Sequence, residues 1–167
     1  MGRIDLMTIL LPQLSRAQVL FISTFLCLAL SSCSDPLSNK LVPSPTLAPE
    51  HVVRIQLEAL QNNGTKDKGI AVAFRFASPD NKRSTGPLER FARMVKGEPY
   101  RALLNHEKVT YGPVEPIADG VQQRIILHTK NGIYQFVFEL SRREVEPCLG
   151  CWLTDSVLVE TFKPVQI

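Results

Sequence analysis

The chain has 167 residues, 44% of them apolar, with 19 Lys and Arg against 16 Asp and Glu and a net charge of +3. That balance excludes a chain too polar to bury a core. Its cations are scattered, with no run longer than Lys82-Arg83 or Arg142-Arg143, which excludes the clustered basic stripe of a nucleic-acid-binding surface.

From Ala17 to Leu30 the chain is apolar and uncharged, with Arg3 and Arg16 before it. The run falls short of the roughly 20 residues that cross a bilayer core. It fits the apolar region of a secretory signal, roughly 7–15 residues long. Leu30-Ser31-Ser32-Cys33 at its end resembles the attachment site of bacterial lipoproteins. The resemblance implies cleavage after Ser32, thioether lipidation of Cys33, and an exported protein held to a membrane on the periplasmic side or elsewhere in the cell envelope. An ordinary cleaved signal and an uncleaved anchor are the alternatives, and Met7 is an alternative start. Residues 1–32 are therefore expected to be the signal. Residues 33–48, with Pro36, Pro43 and Pro45 among Ser, Asn and Thr, are expected to be a semi-rigid linker.

The remaining stretch, 49–167, is long enough for one domain with its own core. After Pro49, Val53, Leu57 and Leu60 recur at helical spacing until Asn62-Asn63-Gly64. Gly69–Ala77 is short and apolar and reads as helix or strand. Ser78-Pro79 is expected to end it, since the residue before a proline is pushed out of the α region. Thr85 reads as an N-cap, with Pro87 in the first turn and Leu88, Phe91, Ala92 and Val95 on one face. Gly97 ends that helix, and Pro99–Leu104 supplies one further turn.

The pattern then changes to strands: Glu107–Val114, Val121–Thr129, Ile133–Ser141 and Gly150–Glu160. Lys130-Asn131-Gly132 is a hairpin signal of the Asn-Gly type. Along the third strand Tyr134, Phe136, Phe138 and Leu140 alternate with Gln135, Glu139 and Ser141. Helices followed by a meander predict an α+β fold, with N-terminal helices packed on one face of a curved four-stranded antiparallel sheet.

Five blocks carry a family resemblance: Val52–Asn63, Gly69–Lys82, Thr85–Val95, Tyr100–His106 and Gly150–Val157. Occurring in this order, they resemble the domain-of-unknown-function family 4864, across about residues 50–160. The resemblance implies a cystatin-like fold, of the nuclear transport factor 2 and ketosteroid isomerase kind. Such folds often enclose a cone-shaped cavity between helices and sheet. Others fill the cavity and pair through the sheet, so the fold alone licenses no activity.

Cys148 and Cys151 form a lone CxxC. A disulfide and a free thiol pair are both open readings; a redox helix start is not expected before a strand. With no second CxxC and no HxxxH nearby, no metal site is expected, and no cofactor motif occurs. Period-two alternation places Asp155 on one face with Cys151, Leu153, Val157 and Val159. There it is either a hydrogen-bond acceptor for Arg90, Arg93 or backbone, or a general base in a cone pocket. The pocket candidates are Phe74, Phe91, Phe136, Phe138, Trp152 and Asp155. His106 and His128 read as structural or surface groups. The segment from Ser78 to Lys82, with Thr85-Gly86-Pro87, reads as a loop before a helix N-terminus that shapes the turn and caps the helix; contact with an anion or a partner, aided by Lys82 and Arg83, is the alternative. The leading functional expectation is a lipid-anchored, non-enzymatic domain that binds a small ligand or a protein partner. A cone-pocket enzyme using Asp155, and a subunit forming a homodimer through its sheet, are the alternatives.

Overall fold

The computed structural model describes residues 41–104 and 106–164. The signal segment, Cys33 and the first part of the linker lie outside the described residues. The elements in chain order are α1 (Pro49–Gln61), α2 (Lys68–Arg75), α3 (Pro79–Thr85), α4 (Leu88–Lys96) and a 3-10 turn (Tyr100–Leu103). Then come β1 (Lys108–Ile117), β2 (Gly120–Thr129), β3 (Gly132–Arg142) and β4 (Trp152–Pro164). The strands form one antiparallel sheet in the order β1-β2-β3-β4. The fold is α+β, with the helices N-terminal to the sheet, as the element order predicts.

Pro49 starts α1 because a proline in the first turn lacks only an amide that would go unbonded there. The apolar stripe of α1 buries Val52, Val53, Leu57 and Leu60. They meet Ile70, Val72 and Ala73 of α2 and the inner sheet face, which is built from Ile125, Leu127, Tyr134, Phe136, Phe138 and Leu140. Gly69 lets α1 and α2 approach closely, because a Cβ at this position would fall on the backbone carbonyl of Ala59. Asn63 supplies the cap that Asp67 does not: its Oδ1 accepts from the Ile70 amide at 2.9 Å. The β2–β3 connection is a two-residue loop, Lys130-Asn131, with Gly132 paired to Thr129.

Two sequence expectations need correction. The stretch after Ser78 is not a loop but the helix α3, and Thr85 is its last residue rather than the cap of α4. Ser78 Oγ accepts from the Asn81 amide at 3.2 Å, Pro79 takes the first helical position and Asp80 follows in the first turn. The same Ser-Pro pair thus ends one helix and begins the next. Pro87 becomes the residue flanking α4, joined to α3 by Gly86 at a φ of 83°, a left-handed geometry that suits glycine.

The second correction concerns β4. The pairing of β3 with β4 slips between Glu139↔Ser156 and Leu140↔Thr154, leaving Asp155 opposite no residue. It slips again between Gln135↔Thr161 and Phe136↔Val159, leaving Glu160 unpaired in the ladder. Each slip is a β-bulge, which resets the alternation of faces and bends the strand. The residues in register with the inward-facing Leu140, Phe138 and Phe136 of β3 are therefore Thr154, Val157 and Val159. Asp155 does not share a simple alternating face with Cys151 and Leu153.

The stretch before α1, read as the end of a linker, lies along the domain. Leu41 and Leu47 pack against the core, and the Arg75 guanidinium donates to the Leu41 carbonyl. Beside the same stretch, with Cys148 Sγ 3.6 Å from the Pro43 carbonyl oxygen, Cys148 and Cys151 are joined in a disulfide, with Cα atoms 5.5 Å apart. No described helix is long and apolar enough to cross a membrane.

Candidate functional site

Thr154 fastens the helical layer to β4. Its amide donates to the Phe76 carbonyl at 2.9 Å, and its own carbonyl accepts from the Ser78 amide at 2.9 Å. Its hydroxyl donates to Gln56 Oε1 at 2.6 Å, while Gln56 Nε2 donates to the Ala73 carbonyl at 3.1 Å. Thr154 and Gln56 are both buried, so this network of α1, α2 and β4 is shielded from water. Asn81 of α3 joins it, donating from Nδ2 to the Thr154 carbonyl at 3.2 Å.

Beside this junction a cleft of about 330 Å³ opens between the helices and the inner face of β3 and β4. Its apolar wall comes from Leu60, Ala73, Phe91, Met94, Val95, Leu103, Phe138 and Val157. Its polar side comes from Gln56, Asn81, Ser84, Thr85, Asp155 and Ser156. Tyr100 also lines it and donates its hydroxyl to the Val157 carbonyl at 3.1 Å. Several of the polar groups are already engaged. The Thr85 hydroxyl donates to the Asn81 carbonyl at 2.8 Å, and the Ser156 hydroxyl donates to Glu139 Oε2 at 2.6 Å. Asp155 differs: its side chain, half-buried at the bulge, makes no hydrogen bond or ion pair among the described residues.

Of the pocket candidates, Phe91, Phe138 and Asp155 line the cleft. Phe74, Phe136 and Trp152 do not. The Phe74 ring lies behind Phe91, centroids 5.1 Å apart. Phe136 is fully buried between Tyr100 and Tyr134, each ring 6.2 Å away. Trp152 packs against the core. Neither Arg90 nor Arg93 pairs with Asp155. Sequence reasoning missed Gln56, Asn81, Ser84, Thr85, Tyr100 and Ser156. For the α3 residues the available signal was Ser78-Pro79-Asp80 read as a helix start. As a general base Asp155 would have little help, because among the described lining residues Tyr100 is the only other titratable one and its proton is committed to a backbone carbonyl.

The two cations weighed as anion contacts in the alternative reading of this segment have other partners. Lys82 Nζ donates to the Arg75 carbonyl at 3.1 Å and lies 5.7 Å from the centre of the Phe74 ring. Burial, and secondarily the charge of Arg75, lowers the pKa of Lys82 below the ordinary lysine value. Arg83 is exposed and pairs with Asp80. A second, more polar depression of about 430 Å³ lies by the β2–β3 turn, where Arg101 is paired with Glu98. It contains His106, whose Nδ1 lies 3.1 Å from the Leu103 carbonyl. Burial lowers the pKa of His106, with the contact to Leu103 acting in the opposite sense. His128 is on the outer sheet face, opposite Lys108 and Ile133. No group of three or more His, Cys, Asp or Glu side chains that could hold a metal ion occurs among the described residues.

A family model, the domain of unknown function DUF4864, matches residues 46–166. The chain belongs to this family. No curated protein and no solved structure matches it. The match includes every element that builds the cleft, and it begins within the stretch that packs on the domain before α1.

Proposed function

We propose that this member of the family is an exported, lipid-anchored protein of the cell envelope whose domain holds a small molecule in the cleft between its helices and sheet. The observation that carries the binding half is the cleft itself: about 330 Å³, apolar on one side, with Asp155 unpartnered on the other. Ligand sites have this composition, a mostly apolar wall with a few placed polar groups. The order of helices before an antiparallel sheet also supports the cystatin-like cone that the family resemblance implies, a fold that often encloses a cavity between helices and sheet. The anchoring half rests on the apolar run ending in Leu30-Ser31-Ser32-Cys33; two or more acyl chains at Cys33 would hold the domain stably at a membrane.

Each half has its own test. Cys33→Ala should release the protein from the membrane fraction and change its mobility; unchanged fractionation and mobility would refute lipidation. For the cleft, small molecules extracted from the host's envelope should raise the melting temperature of the wild type, because a ligand bound only by the folded state stabilises it. Val157→Phe, which fills the cleft from its sheet side, should lose that increase. An equal increase in both proteins would refute binding in the cleft.

A second reading is pairing through the sheet. Ile126, Ile133 and Leu158 on its outer face are 36%, 40% and 50% exposed. They are interrupted by the Glu115–Arg124–Glu160 ion-pair chain, which is suited to water. The cleft is therefore preferred. Sedimentation of the purified protein tests the alternative, which predicts a dimer weakened by Leu158→Lys.

A further inference from the structure

The character of the cleft's polar groups narrows what can occupy it, an inference that rests on the cleft being a ligand site. We propose that its occupant is a compact apolar molecule carrying a protonated amine, with Asp155 as the group that recognises the charge.

Charge complementarity selects this occupant. Among the described residues lining the cleft, Asp155 is the only one bearing a full charge, and none is Lys, Arg or His. An anionic head group would need several donors, and most of those lining the cleft are committed, leaving the neutral Ser84 hydroxyl. The Asn81 amide is bonded to the Thr154 carbonyl and the Tyr100 hydroxyl to the Val157 carbonyl. The cations of α3 are engaged elsewhere, Lys82 with the Arg75 carbonyl and Arg83 with Asp80, and Arg90 and Arg93 of α4 are not among the lining residues. A fatty acid or other carboxylate would meet Asp155 as a like charge with nothing to offset it. An ammonium group would instead find an unpaired carboxylate, and a charge-assisted hydrogen bond is roughly twice as strong as a neutral one. The rings of Phe91, Phe138 and Tyr100 line the same space and favour a nearby cation on their faces.

Position and size agree. The bulge holds Asp155 at the cleft between Thr154, which is locked to Gln56, and Val157, which is locked to Tyr100. The recognition group therefore sits on a strand fixed on both sides, which limits the ordering cost of binding. A volume of about 330 Å³ is at the lower end of the range for small-molecule sites, too small for a two-chain lipid.

The test uses three probes that share a phenyl body and differ in head group: 2-phenylethylamine, 2-phenylethanol and 3-phenylpropanoate. Each is titrated by NMR into the full chain purified from its host, with detergent-only blanks. The amine should bind about ten-fold or more tightly than the alcohol, and the alcohol more tightly than the carboxylate. Raising the salt concentration should weaken only the amine. Asp155→Asn, nearly isosteric, should bring the amine to within about two-fold of the alcohol while leaving the alcohol's affinity unchanged. If Asp155→Asn does not fold, the salt dependence of the wild type still decides. An amine that binds no better than the alcohol, or a carboxylate that binds best, would overturn the inference while leaving the cleft a ligand site, provided Val157→Phe blocks the binding. If no probe binds in a way that Val157→Phe blocks, the ligand-site reading falls and the amine assignment with it.

Discussion

Replacing Thr154 by Val keeps the shape of the side chain and removes one hydroxyl. That hydroxyl is the donor to Gln56 Oε1 at 2.6 Å, and both residues are buried, 1% and 4% exposed. The variant leaves Gln56 Oε1 inside the protein without its donor, and an unsatisfied buried acceptor costs about 1–3 kcal/mol. For a domain of this size that corresponds to a fall in melting temperature of about 3–6 °C per kcal/mol. Gln56→Met alone should cost a similar amount, because it leaves the Thr154 hydroxyl unpaired. Ala73 is not stranded by that change, since its carbonyl also accepts from the Phe76 amide at 3.2 Å. The double variant removes both partners and should therefore cost less than the sum of the singles, by about 1 kcal/mol or more. Urea unfolding of the four proteins, with constant slope against denaturant, measures this coupling. Additive losses, or a neutral Thr154→Val, would refute the claim that this pair fastens the helices to β4.

Two further predictions address packing and pH. Gly69→Ala should destabilise the fold by about 1–3 kcal/mol in the same assay, because the new methyl meets the Ala59 carbonyl and α1 and α2 must move apart; an unchanged midpoint would contradict the close helix approach. His106 is buried with its pKa lowered, so its unfolded form binds more protons than its folded form at pH values between the lowered value and the ordinary 6.5. Stability should therefore fall as pH falls through 6.5, and His106→Gln should flatten that part of the unfolding profile. An identical pH profile for the variant would show that His106 is not the group responsible.

Much of the architecture was legible because it rests on repeating patterns. The stripe of α1, the alternation of Tyr134, Phe136, Phe138 and Leu140, and the Lys130-Asn131-Gly132 turn are each set by local periodicity or turn geometry. The helix α3 was hidden because Ser78-Pro79 carries two meanings, a stop for the helix before it and a cap plus first turn for the helix after it. The surroundings of Asp155 were hidden for a different reason. Period-two reasoning assumes an unbroken ladder, and the extra residue of a bulge is visible only in the pairing with β3. The aromatic candidates were half legible: an apolar pattern says that Phe74, Phe91, Phe136 and Phe138 face inward, but not which of them borders a space and which fills one. The polar side of the cleft depended on α3 and on the bulge, so it was lost with them.

The most direct test of the central claim is native mass spectrometry of the full chain taken from its own host, compared with Val157→Phe prepared in the same way. A ligand-binding cleft predicts a reproducible non-covalent mass on the wild type that is absent from the variant. A bare wild-type mass, or the same added mass on both proteins, would contradict it.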